Sequence, residues 1–126
     1  MKLASVRLVT NNIDGLIAFY TTLTGASVAR LAEDFAEIRL AGAIVAISNE
    51  RAVKQFNAGA ATAASNRSAI VEFQVEDVDA VHGRLSGEQI DWVMMPTTQP
   101  WGNRSMLLRD PDGNLINIFA RPTRSE

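Results

Sequence analysis

The sequence predicts an α+β protein made of two tandem βαβββ modules. Three observations carry that reading. A period-two stretch followed by a capped amphipathic helix occurs twice, starting near residues 4 and 70. Each occurrence is followed by further stretches of strand length. Between the two lies a segment of small residues with no period.

In the first module, residues 4–9 place Val6 and Leu8 on one side and Ser5 and Arg7 on the other, as a half-buried strand does. Asn12 is a good N-cap, and Asp14 puts negative charge in the first turn, where it suits the helix dipole. Ile13, Leu16, Ile17, Tyr20 and Leu23 recur at helical spacing, and Gly25 stands where a left-handed C-cap belongs. Strands are expected at 27–31, 35–40 and 43–48, with Gly42 turning between the last two. Residues 51–68 read as a linker, with a short helical turn ending near Phe56 and then the run Asn57-Ala-Gly-Ala-Ala-Thr-Ala-Ala-Ser-Asn66.

The second module repeats the order. Residues 70–75 alternate, with Val71, Phe73 and Val75 on one face and Glu72 and Gln74 on the other. Asp77 caps a helix containing Val78, Val81 and Leu85, which Gly87 ends. Strands are expected at 91–95, 104–108 and 114–119, the last two joined by the turn sequence Asp110-Pro111-Asp112-Gly113. Aligned on the helix caps, Asn12 matches Asp77, Ser5 matches Ile70 and Arg7 matches Glu72; aligned on the final strands, Ala46 matches Asn117. The boundaries are about 3–50 for module one, 51–68 for the linker and 69–122 for module two, within one domain over 1–126. Each module has one helix for one sheet face, so the other face needs a partner or a ligand, and two such sheets can curl around a shared cavity.

The composition narrows the function. The chain has 126 residues, 47% apolar and 21% charged, with a formal net charge of -2. This balance suits one globular domain and gives no basic field for nucleic acid or anionic lipid. Without cysteine there is no disulfide, thiolate metal site or cysteine nucleophile. No run approaches the roughly 20 apolar residues that span a bilayer, and residues 1–9 lack the apolar stretch of a secretory signal. A cytoplasmic protein is expected.

The stretches Asn12-Ile13 through Ala18-Phe19-Tyr20, Thr24-Gly25 and Glu76-Asp77-Val78-Asp79 are family echoes. The strongest is Gln99-Pro100-Trp101-Gly102 leading to Arg109-Asp110-Pro111-Asp112-Gly113-Asn114. With these, the duplicated module resembles the vicinal oxygen chelate superfamily, the glyoxalase, bleomycin-resistance and extradiol dioxygenase group, and its bleomycin-resistance-like branch in particular. The resemblance covers residues 3–122. It implies curved mixed sheets forming a cup-shaped cavity, and a homodimer. The superfamily hosts isomerases, dioxygenases, thiol transferases and drug-binding proteins on one scaffold, so the fold alone names no function.

Metal enzymes of that superfamily take ligands from the first and last strands of each module. Carried over, these positions hold Ser5, Ala46, Ile70 and Asn117. Alanine and isoleucine offer no donor, and serine and asparagine are weak ones. The one histidine, His82, falls on the second helix, away from the cavity. No metal and no cofactor are expected.

The candidate ligand-binding residues are Trp101, Trp92, Arg7, Glu72, Phe35, Phe56 and Asn117. Arg7 and Glu72 share the polar side of matching strands, where they orient a polar ligand or form a structural pair. Trp92 and Trp101 are the only tryptophans, and Trp101 sits in a loop. In the bleomycin-resistance branch aromatic residues sandwich a planar ligand in a cleft between subunits, which the resemblance extends to Trp101 and, more weakly, to Phe35 and Phe56. Glu37 and Arg39 share a face and either line the cup opposite Arg104 or are solvated. Three readings stay open. One is a binding protein that sequesters a small planar or aromatic molecule. Another is an enzyme, lyase-, isomerase- or dioxygenase-like, with Glu72 or Glu37 as base. The third is a structural or regulatory module whose cup is filled by its own side chains.

Overall fold

The computed structural model describes residues 1–122. The chain divides into two units, residues 1–65 and 66–126.

In the first unit, β1 (Val6–Thr10), α1 (Ile13–Thr24), β2 (Val28–Ala32), β3 (Phe35–Leu40), β4 (Ala43–Asn49) and α2 (Glu50–Phe56) follow in order. The sheet order is β1-β4-β3-β2, with β1 and β4 parallel and the other pairs antiparallel. Asn12 caps α1 by accepting from the Gly15 N–H at 3.0 Å. Gly25 closes the helix at φ 68, its N–H donating to Thr21 O at 2.8 Å, as its place in the sequence predicts. The register sets Leu8 beside Ile47, and Ile38 and Ala36 beside Val45 and Ile47, on one face. Those residues and the α1 residues Leu16, Tyr20 and Leu23 are buried.

The alternate face carries Arg7 beside Ala46. There the short helix expected to end near Phe56 is present as α2, and it packs on the sheet. α2 lies against β4 and β1, with Val53 buried, and Arg7 donates from Nη2 to Asn57 Oδ1 at 2.7 Å. Module one thus covers part of its second face with its own helix.

Just beyond α2, Ala58 sits at φ 57, and Ala64 at φ 56. A Cβ in this left-handed region costs roughly 1–2 kcal/mol, part of which glycine gives back as unfolded-state entropy. Ala58→Gly is expected to raise stability by about 0.5–1 kcal/mol in urea unfolding; a loss of stability would show that the αL geometry at 58 is not strained.

In the second unit, β5 (Ile70–Gln74), α3 (Val78–Leu85), β6 (Asp91–Thr98), β7 (Arg104–Arg109) and β8 (Leu115–Ala120) form a sheet of order β5-β8-β7-β6. β5 and β8 run parallel and the other pairs antiparallel, so the module repeats the topology of the first. Asp77 caps α3 through the Ala80 N–H at 3.0 Å. The helix ends at Leu85, with Ser86 still right-handed and its Oγ donating to Gly83 O at 2.8 Å, so Gly87 does not serve as the cap. β6 runs three residues past the expected end, through Pro96. An edge strand tolerates a proline that a central strand would not. Met106, Leu108, Ile116 and Ile118 share the buried face that meets α3. Among the described residues no helix is long and apolar enough to cross a membrane.

Candidate functional site

The face of the second sheet opposite α3 carries side chains of another kind. The register aligns Ser105 with Phe119, Leu107 with Asn117, and Glu72 with Asn117. Because successive side chains alternate across a sheet, these share one face. Together with the β6–β7 connection they line a cleft of about 270 Å³ bounded by Glu72, Gln99, Trp101, Asn103, Ser105, Asn117, Phe119 and Arg121.

The connection is a tight turn. Gln99 N donates to Asn103 O at 2.7 Å, and Gly102 N to Gln99 O at 2.8 Å. Pro100 occupies the second position of the turn, and Gly102 takes φ 101, which a side chain would resist. A Cβ at Gly102 would also come within 2.8 Å of Pro122. This geometry leaves Trp101 standing out at the rim, 69% exposed. An exposed indole carried on a tight turn offers a large contact surface with only two side-chain dihedrals to order on binding.

Polar groups are held on the floor. Asn117 donates from Nδ2 to Glu72 Oε2 at 2.8 Å, while its Oδ1 is buried with no hydrogen-bond partner. Gln99 donates to Ser105 Oγ at 3.3 Å. The Arg121 guanidinium lies 5.7 Å from the Phe119 ring centre, in cation–π range.

Of the residues singled out from sequence, the structure therefore brings Trp101, Glu72 and Asn117 together. Trp92 lies elsewhere: its strand partner is Leu108, on the helix-facing side, and its ring sits 4.8 Å from that of His82 on α3. Arg7, Phe35 and Phe56 belong to the first unit, where Arg7 is held by Asn57, Phe35 is half-buried and Phe56 is 73% exposed. Arg7 donates to Asn57 and Glu72 accepts from Asn117, each within its own unit. Glu37 pairs with Arg39 at 2.9 Å, and Arg104 with Asp79. Gln99, Asn103, Ser105, Phe119 and Arg121 were not singled out individually. The signal for Ser105 and Phe119 was present in the alternation that places them on the side of Asn117.

The four positions weighed for metal on the strength of the resemblance are Ser5, Ala46, Ile70 and Asn117. Ala46 and Ile70 have no donor atom. Among the described residues no three His, Cys, Asp or Glu side chains gather within reach of one ion.

On the α3 side of the sheet, Arg104 clamps Asp79 through two bonds of 2.6 and 2.9 Å. The guanidinium holds the Asp79 carboxyl below its ordinary 3.8. In the first unit Arg51 does the same to Asp34, helped by Asn49. A carboxylate so depressed stabilises the fold fully above its unfolded-state pKa and loses that contribution as pH falls through the lower folded-state value. Stability is thus expected to fall below about pH 3.8. The fall should be shallower in an Asp34→Asn, Asp79→Asn double variant, checked by urea unfolding between pH 2 and 5. An unchanged slope would show that the two pairs contribute nothing. Both are solvent-exposed, so the effect is small.

Comparison with known proteins fits this architecture. A crystal structure of a glyoxalase/bleomycin resistance protein/dioxygenase from Nocardioides is similar at 22% identity and TM-score 0.81, covering 100% of this chain and 87% of the other. A family enzyme from Burkholderia phytofirmans PsJN is similar at 19% identity and TM-score 0.81, over 95% of this chain and 98% of the other. TioX from Micromonospora sp. ML1 is similar at 20% identity and TM-score 0.73, over 96% and 99%. At these identities the likeness establishes the fold. No curated protein matches the sequence. The family profile matches residues 2–118, and the chain belongs to the Glyoxalase/Bleomycin resistance protein/Dioxygenase superfamily.

Proposed function

We propose that this protein binds a small, flat, at least partly aromatic molecule in the second-module cleft, without a metal ion and without turning it over. The observation that carries the reading is the exposed Trp101, fixed on a tight turn above a polar floor. Phe119 adds a second aromatic wall, and Glu72 meets a donor or cation on the ligand. Apolar walls with a few fixed polar groups are what small-molecule sites need. A thermal-shift screen of planar aromatic compounds tests the reading: a ligand at 100 times its Kd stabilises by about 2.7 kcal/mol. No shift from any of them would count against it.

The donor set supports the metal-free part. Ile70 and Ala46 cannot ligate, and Asn117 is already engaged with Glu72. Elemental analysis of the purified protein is expected to find no stoichiometric zinc, nickel, manganese or iron, and chelator is expected to leave the Tm unchanged. About one equivalent of any of these metals would overturn it.

An enzymatic reading with Glu72 as base is the alternative. Its carboxylate is exposed and already accepts a hydrogen bond from the Asn117 amide, which favours the binding reading. We place the protein in the cytoplasm, in keeping with its lack of cysteine, and as a two-fold homodimer. The dimer rests on outer strand β6, which exposes Val93 and Met95 at 47% and 53%. A monomer mass in light scattering at micromolar concentration would exclude it.

A further inference from the structure

A second recess lies on the same face of the second sheet. It has a volume of about 130 Å³ and is lined by Asn66, Arg67, Ser68, Ala69, Ile70, Arg109 and Leu115. Its floor is apolar, from Ile70 and Leu115, which are register partners. Its lining includes Arg67, Arg109 and Ser68 and no acidic residue.

Two arginines around one small recess repel each other and are ordinarily balanced by acidic neighbours. Here, among the described residues, neither Arg67 nor Arg109 forms an ion pair. Arg109 spends one N–H on Gly113 O at 3.1 Å, which leaves four donors; Arg67 keeps all five. Asp91 is the cross-strand partner of Arg109 but makes no bridge to it, and Asp110 is buried and engaged by Asn114. The net charge of the chain is -2, so this positive spot is local rather than part of a basic surface.

The recess is also built rather than loose. Asn66 Oδ1 accepts from the Ser68 and Ala69 N–H groups at 3.3 and 3.0 Å. Its Nδ2 donates to Ala69 O at 3.0 Å and to Asn114 Oδ1 at 3.1 Å. One side chain thus pins the turn that carries Arg67 and Ser68 against the β7–β8 turn. A planar fork of donors held this way matches the oxygens of a carboxylate or phosphate.

We propose that this recess is an oxyanion site, which takes the phosphate or carboxylate end of a small molecule through Arg67, Arg109 and the Ser68 hydroxyl. Leu115 and Asn117 are two residues apart on one strand face, about 7 Å. The site therefore adjoins the Trp101 cleft, yet it does not depend on that cleft being used.

The test is titration of the isotope-labelled protein with inorganic phosphate and, separately, with benzoate, at constant ionic strength in chloride buffer, followed by amide NMR shifts. Saturable shifts centred on residues 66–70 and 109 are expected. Arg67→Gln and Arg109→Gln should each weaken binding at least fivefold, and the double variant should abolish it with the Tm unchanged. Phosphate binding tighter than benzoate assigns a phosphoryl group; the reverse assigns a carboxylate. Trp101→Ala should leave phosphate binding intact, which separates this site from the cleft. Shifts scattered over the surface, or an affinity unaltered in the double variant, would overturn the proposal.

Discussion

Asp110→Ala is expected to destabilise the protein by about 2–4 kcal/mol, a large share of a typical domain's stability. Asp110 is 4% exposed. Its Oδ1 accepts from the Asp112 and Asn114 N–H groups at 2.9 and 3.0 Å, and its Oδ2 from Asn114 Nδ2 at 2.7 Å. These bonds fold the Asp-Pro-Asp-Gly sequence into the turn between β7 and β8. Truncation strands three donors, of which those of Asn114 are buried, and an unsatisfied buried donor costs about 1–3 kcal/mol. Asp110→Asn keeps one acceptor oxygen for the backbone but turns an amine toward Asn114 Nδ2, so it should cost about half as much. Chemical denaturation measures both. A loss under about 1 kcal/mol for alanine would mean that the turn is held by its backbone alone.

Trp101→Ala is expected to weaken ligand binding at least tenfold, about 1.4 kcal/mol, and to leave the unfolding free energy within about 0.5 kcal/mol. The two halves of that expectation come from one fact. A residue 69% exposed gives little to the core, so what it contributes is available to a ligand. Stacking adds about 0.5–1.5 kcal/mol beyond buried area, and loss of the indole surface makes up the rest. Trp92→Phe, by contrast, should leave binding intact, because that ring packs on His82 across the α3 side. A Trp101→Ala protein that unfolds would place the indole in a structural role.

Much of the fold was legible because its signals are local. The caps at Asn12, Gly25 and Asp77 and the alternation in β1 and β5 need no tertiary context. α2 was harder to read, since Val53 is its one buried residue and no face repeats. The end of α3 misled because glycine is a common C-cap but not a required one, and Ser86 did the work through its hydroxyl. The site was half legible. Trp101 declared itself as a loop tryptophan, and Glu72 and Asn117 by alternation. Trp92 could not be assigned a side from sequence, because β6 carries register shifts between Trp92 and Met94 and between Met94 and Thr97. The Asn57 partner of Arg7 is set by chain folding over tens of residues, and the placement of Arg67 by a turn pinned by Asn66, which no period encodes.

The most direct test uses Trp92→Phe protein, in which Trp101 is the sole tryptophan. Planar aromatic compounds that raise the Tm are titrated against its fluorescence in the presence of EDTA. Saturable quenching of Trp101 is expected, with a Kd that matches the thermal shift and does not change when EDTA is omitted. Compounds that stabilise the protein without perturbing Trp101, or that bind only after a divalent metal is added, would contradict it.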